Sequence, residues 1–306
     1  MAPRMSFARA RTPGAPEGGT AMEMDLGMCM EEIRRPTIEE AFDAVRGYGI
    51  RAIQFNCLAF CDEELPPPER IDQGEMARIG RLARERGLDI VAMNGTVNMI
   101  EADPAALEEN LRRFEGIAGA CGALGCDLVT LCTGSRNPYS RWWDHPYNHT
   151  PEAWERCKAT AARMAAIAER YDVRLGIETE VTTVVSTPEL ARRFLDEMGS
   201  PRIRIVLDLA NMVDEGEATT DQVDAIMDRA FQFLGKDIAL AHAKDIKGEG
   251  RIHHTSAGNG IIDFGRFFRK LREAGYGGPM VMHRLARESE FPGCVAFLRR
   301  AMASVD

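Results

Sequence analysis

Apolar residues recur along this chain with two alternating spacings. Short runs rich in Val, Ile, Leu and Met are separated by longer stretches whose apolar positions fall at i, i+3 and i+4, which lines one face of an α-helix. The short runs predict strands over 24–29, 52–57, 89–94, 128–133, 174–178, 203–207, 238–242 and 280–283. The longer stretches predict helices within 37–49, 71–87, 103–125, 150–171, 187–199, 220–235, 263–276 and 291–304. Their ends carry helix punctuation. Asp103 precedes Pro104, and Thr-Pro-Glu opens both 150–152 and 187–189, placing a capping side chain before a proline in the first turn. Gly87 closes the second helix, and Gly47 or Gly49 the first, as glycine does past a C-terminus.

Strict alternation of strand and helix implies a parallel sheet with crossover helices. Eight such units in one chain predict a closed (β/α)8 TIM barrel. An open doubly wound sheet normally carries a glycine-rich turn after its first strand, and the segment 26–36, LGMCMEEIRRP, offers none. No linker interrupts the pattern, so residues 22–306 read as a single catalytic domain. Residues 1–21 are rich in Arg, Pro, Gly and Ala and lack the apolar core of a secretory signal. They are expected to be a disordered leader.

Composition narrows the function. Apolar residues make up 45% of the chain and charged residues 28%, an ordinary globular balance. No apolar run approaches the roughly 20 residues that span a bilayer, so no membrane association is expected. The net charge of −9 argues against a protein that works on phosphate backbones. The eight cysteines are scattered with no CxxC pair, which fits reduced thiols in a cytoplasmic protein. The apolar face of 291–304 fits homo-oligomer formation and packing on the barrel equally well.

The chemistry concentrates where the last four strands end. Alternation puts Glu178 and Glu180 on one face and Leu175 and Ile177 on the other. The next three strands end at Asp208, His242 and His283, with Lys244 sharing the face of His242. Carboxylate oxygens and imidazole nitrogens converging from neighbouring strands suit one divalent metal ion, held by Glu178, Asp208, His242 and His283. A mixed oxygen and nitrogen set favours Mn, Co, Fe or Zn over Mg, with Mn expected first.

Two other segments stand out. The stretch 132–150 holds two Trp, two Tyr, two Arg and two His. After a fourth strand it would overlie the C-terminal face, as a substrate lid or as a packed loop. Its candidates are Arg136 and Trp142 for substrate binding and His145 for proton transfer. Gly258-Asn259-Gly260 reads either as a phosphate-binding turn or as a turn that needs positive φ.

At these residues the chain resembles the xylose isomerase-like TIM barrel family. That family covers sugar isomerases, sugar 3-epimerases, inosose dehydratases and isomerases, and the endonuclease IV branch. The pieces that carry the resemblance are LGIETE, IVLDLAN, LAHAKDIK and GNGIIDFGRFFRKLREAGYGGPMVM. It extends over nearly the whole chain after residue 21 and is strongest after 170. The resemblance implies that Glu178, Asp208 and His242 are three metal ligands. The family's fourth ligand is a Glu at the end of the last strand, where this chain has His283. The endonuclease branch needs a richer set of His and acidic ligands than this chain's six His supply.

The leading expectation is therefore metal-dependent isomerisation or epimerisation of a small sugar or polyol, with or without a phosphate, through an enediolate. Glu178 or Glu180 would be the base, with His283 or His145 on the other side. Lys244, Arg136, Trp142 and Asn211 would bind substrate, with a Lys244–Asp245 ion pair as the plain alternative for Lys244. The rival expectations are a dehydratase or lyase acting on an inosose or 3-keto-glycoside, and a sugar-binding barrel that has lost catalysis.

Overall fold

Eight parallel strands close on themselves. They are β1 (Leu26–Cys29), β2 (Ala52–Phe55), β3 (Asp89–Asn94), β4 (Leu128–Leu131), β5 (Arg174–Glu178), β6 (Ile203–Leu207), β7 (Ile238–Gly248) and, after β8 (Ile252–Ser256), β9 (Met280–Met282). Each of β1 to β6 pairs with the next; β7 pairs with β6 and β9, and β9 with β1, which completes the barrel. The computed structural model describes residues 24–59, 61, 63–248, 252–285 and 287–305. The leader expected over 1–21 lies outside them.

All eight expected helices form: α1 (Ile38–Gly47), α2 (Gln73–Glu85), α3 (Pro104–Leu124), α4 (Pro151–Tyr171), α5 (Pro188–Met198), α6 (Thr220–Leu234), α7 (Phe264–Glu273) and α8 (Phe291–Ala303). The cap residues act as their positions suggest. Asp103 accepts from the Ala105 N–H, Thr150 from Ala153 and Thr187 from Leu190. Among the described residues, no helix is long and apolar enough to cross a membrane.

The interior is layered by the pleat. Cys29, Ala92, Leu128, Val206, Leu240 and Val281 form a buried apolar cluster of their own, distinct from the larger core that contains Leu175 and Ile177. Side chains two positions further along a strand point the same way. The residues above this plug are therefore Glu31, Asn94, Thr130, Asp208, His242 and His283, all polar. One apolar floor and one polar storey thus stack at the C-terminal end, where barrels of this kind place their chemistry. Close approach needs glycine at Gly27 and Gly176. A Cβ on Gly27 would lie 2.9 Å from Val281 Cγ2, and one on Gly176 2.6 Å from Val206 Cγ2.

The expected strand limits are slightly too wide at β1, β2, β4 and β9 and too short at β7. The seventh strand does not stop at His242 but runs on to Gly248 and pairs antiparallel with β8, from Lys244 opposite Ser256 to Gly248 opposite Ile252. Its run of Lys244, Asp245 and Lys247 looks like a solvated loop, yet Lys244 and Asp245 are buried. Asp245 anchors the ribbon by accepting the N–H groups of Ile246, Gly258, Gly260 and Ile262.

Candidate active site

Asp208 is the pivot of the polar storey. One oxygen, Oδ1, accepts the Ala210 and Asn211 N–H groups at 3.1 and 3.3 Å, which caps the short 3-10 turn Leu209–Met212. That bond aims Oδ2 at the barrel axis. There it lies 3.5 Å from His242 Nδ1, 4.0 Å from His283 Nδ1 and 3.1 Å from Lys244 Nζ. Glu178 Oε1 stands 3.7 Å from His242 Nδ1. Asn211 ties the set together, donating from Nδ2 to Glu178 and accepting from Lys244 Nζ at Oδ1.

The outer nitrogen of each imidazole is already engaged. His242 Nε2 lies 2.8 Å from Gln54 Oε1, and His283 Nε2 lies 3.0 Å from Glu31 Oε1. Both partners are acceptors, so each Nε2 carries a hydrogen and each Nδ1 faces inward.

Burial and charge act against each other here. Burial disfavours the Asp208 carboxylate, but the Lys244 ammonium and then His242 hold it well below the usual carboxylate range. Burial likewise disfavours the His242 imidazolium, but Glu178 and then Asp208 push its pKa up to about 9. Glu180 moves the other way. Burial first, and the charge of Glu178 next, push it up to about 7. Glu31 is held low, chiefly by the hydrogen bond from His283.

Whether a cation fits can be read from the polar atoms. His242 Nδ1 and His283 Nδ1 are buried without a hydrogen-bond partner, and buried Asp208 Oδ2 has the Lys244 ammonium at 3.1 Å on one side. Buried polar atoms are normally paired, and the two unpartnered imidazole nitrogens converge with Asp208, their ligand atoms within 4.8 Å of one another. One oxygen and two imidazole nitrogens, with Glu178 alongside, form the donor set a transition metal or Zn takes.

Next to this cluster is a cavity of about 210 Å³ whose lining includes Glu178, Glu180, His283, Lys244, Asn211 and Trp142. The expected residues Asp208 and His242 sit beside it, in the cluster. Two other candidates are placed elsewhere. Arg136 lays its guanidinium on the Tyr147 ring at 4.5 Å, and its backbone N–H donates to Asn148 Oδ1 at 2.9 Å. His145 accepts the Tyr147 N–H through Nδ1 and caps the turn Pro146–His149. Neither lines the cavity. The Lys244–Asp245 pair does not form; Lys244 turns inward to Asp208. The phosphate reading of the Gly258–Gly260 turn also fails, because the N–H groups of both glycines are spent on Asp245 Oδ2.

Several lining residues carry no motif: Glu31, Gln54, Glu64, Asn94, Thr96 and His254, with Thr130, Cys132 and Arg284. Glu64 accepts from Asn94 at 2.7 Å and pairs with Arg141, whose guanidinium lies 5.0 Å from the Trp142 ring. The signal that finds part of this wall is the pleat. Gln54 is a polar residue in an otherwise apolar strand, and Asn94 and Thr130 sit two positions above the apolar plug.

The family model of the xylose isomerase-like TIM barrel matches residues 42–300. D-psicose 3-epimerase of Enterocloster bolteae is 26% identical over 249 residues, covering 78% of this chain and 74% of that protein. The crystal structure of a D-tagatose 3-epimerase-like protein superposes with a TM-score of 0.72 at 16% identity, covering 92% of this chain and 98% of the other. The IOLI protein, solved with a bound zinc atom, gives 0.67 at 16% identity over 92% and 98%. The chain belongs to the xylose isomerase-like TIM barrel family.

Proposed function

We propose that this barrel isomerises or epimerises a small polyhydroxylated ketose or aldose at a single divalent metal centre. The observation that carries this reading is the convergence of Asp208 with two buried, unpartnered imidazole nitrogens, those of His242 and His283. Similarity to sugar 3-epimerases supports it.

Asp208 Oδ2, His242 Nδ1, His283 Nδ1 and the Glu178 carboxylate would hold the ion, and Mn is the first to test. When bound, such an ion supplies Lewis acidity toward a carbonyl and its neighbouring hydroxyl. The protein does the rest. Glu180, half-buried and poised near neutrality, takes the proton from the carbon next to the carbonyl; returned to the other carbon of the enediol it completes an isomerisation, whereas epimerisation requires a second group to deliver a proton to the opposite face. One oxygen of Glu180 is buried without a hydrogen bond, so the carboxyl has a free site for that proton. Asn211 holds Glu178 and Lys244 in register, and the buried Lys244 ammonium offsets the carboxylates around it. Trp142 closes one wall, giving a sugar ring an apolar face on which to rest.

The test is a panel of ketoses, aldoses, an inosose and a 3-keto-glycoside, run with Mn in deuterated water. Deuterium entering the carbon next to the carbonyl of an isomerised or epimerised product supports the reading. Loss of water from the inosose would move the enzyme to the dehydratases. No turnover and no metal retention would leave a sugar-binding barrel.

A further inference from the structure

The last strand presents His283 where the family resemblance expects a carboxylate. The carboxylate has not vanished from this corner of the mouth. It comes from Glu31, in the short 3-10 turn Met30–Glu32 that follows β1, the strand that pairs with β9. Glu31 Oε1 lies 3.0 Å from His283 Nε2, and Glu31 Oε2 accepts from Asn56 Nδ2 at 3.0 Å. The Asn56 amide cannot turn round freely, because its Oδ1 accepts the Leu58 N–H at 3.0 Å. A pinned backbone donor therefore orients Asn56, Asn56 presents a donor to Glu31, and Glu31 must accept from both sides.

We infer that Glu31, oriented by Asn56, is the positioning residue that fixes which nitrogen of His283 faces the metal centre. The inference rests on the proposal above for its purpose, although the tautomer can be observed without any metal. An ionised carboxylate has no hydrogen to give. Facing it, neutral His283 keeps its hydrogen on Nε2 and leaves the lone pair on Nδ1, 4.0 Å from Asp208 Oδ2. A partner that donated instead would place the hydrogen on Nδ1 and block it as a ligand. Such outer partners typically change metal affinity by about 10–100-fold.

The residue chemistry permits a rescue that packing alone would not produce. In Glu31→Gln one end of the side chain becomes a donor. Asn56 still needs an acceptor, so the amide NH2 is driven toward His283. Adding Asn56→Asp reverses this. The carboxylate then standing at position 56 accepts from the Leu58 N–H and from the new amide NH2, and the Gln oxygen turns back to His283.

The experiment is long-range proton–nitrogen NMR of the histidine rings at about pH 8, where an ordinary imidazole is neutral, together with Mn affinity by competition titration. The wild type should show the Nε2–H tautomer at His283. Glu31→Gln should show Nδ1–H and bind Mn about 10–100-fold more weakly. The double variant should recover the tautomer and bring affinity back to within about threefold of wild type. Nε2–H retained in Glu31→Gln, or a folded double variant that stays Nδ1–H, would overturn the inference. A wild type that binds no metal would sink the proposed function, and the tautomers of the three proteins would still decide the role of Glu31.

Discussion

His242 and His283, on strands that neighbour each other in the barrel, aim their Nδ1 atoms at one oxygen of Asp208 from 3.5 and 4.0 Å. Two imidazoles converging on one buried oxygen without bonding to it leave room for a shared cation. The same oxygen is where Lys244 is neutralised, so the proposed metal site and the stability of the fold depend on one carboxylate.

That coupling can be separated. Asp208→Ala strands the buried Lys244 ammonium, and breaking a buried pair from one side costs about 3–5 kcal/mol. Adding Lys244→Met removes the stranded charge and should regain most of that loss. Neither variant should retain metal. Urea unfolding in EDTA and metal analysis by mass spectrometry check this. A single variant as stable as wild type would mean that Lys244 is rehydrated there.

The shifted groups set a pH dependence. His242 is raised from 6.5 to about 9, so its stabilising imidazolium is fully present below about 6.5 and lost as pH rises through 9. Glu180 is raised from 4.5 to about 7, so its burial cost is absent below 4.5 and complete above 7. Both make the metal-free protein less stable as pH rises from 5 to 9. Metal affinity should run the other way, gaining about tenfold per pH unit below 9 as the proton leaves His242. Thermal melts with EDTA and Mn titrations across that range test both slopes, and Glu180→Gln should flatten the lower half of the first.

Trp142 lines the cavity, whereas Tyr139 on the same loop is 85% exposed. Trp142→Ala should raise KM about tenfold, the effect of about 1.4 kcal/mol, with kcat little changed. Tyr139→Ala should alter neither. His145→Ala should leave kcat within about twofold of wild type and cost about 1 kcal/mol through the lost cap. Steady-state kinetics on the substrate found in the panel decide these, and a collapse of kcat in His145→Ala would return that residue to the chemistry.

Asp245 should prove a structural carboxylate. It accepts four backbone N–H groups, so Asp245→Asn turns an amide NH2 toward donors and should cost about 3 kcal/mol or more. Gly260→Ala should also destabilise, because its Cβ would collide with the Ile246 carbonyl oxygen. Inorganic phosphate should not raise the melting temperature beyond a matched chloride control. A specific rise lost in Asp245→Asn would show that the turn binds anions after all.

Strand and helix alternation was legible because six of the eight helices open on a capping side chain, all but α6 and α8, and each barrel strand carries a dense apolar run. Asp208, His242 and His283 were legible because they follow an apolar residue two positions earlier on an obvious strand. Glu31 was not, since MEEIRRP reads as a solvated acidic turn and its partner lies 252 residues away. Glu64 was hidden in a proline-rich connection that only the closed barrel brings beside Asn94 and Arg141. The loop 132–150 was legible in part, since Trp142 lines the cavity whereas Arg136 and His145 do not. Its composition suits a lid, but the Arg136 guanidinium stacks on Tyr147 instead of lining the cavity, and such local packing has no periodic signature.

The bond between Glu31 and His283 also gives the mouth of the barrel a place in time. During synthesis Glu31 emerges early and must wait, its carboxylate still hydrated, until β9 docks between β1 and β7. Only then do the first and last strands meet and the polar storey acquire its fourth wall. A nascent chain halted before residue 283 would hold Asp208 and His242 but not the imidazole that faces them. The assembled mouth therefore certifies that the ring of strands has closed.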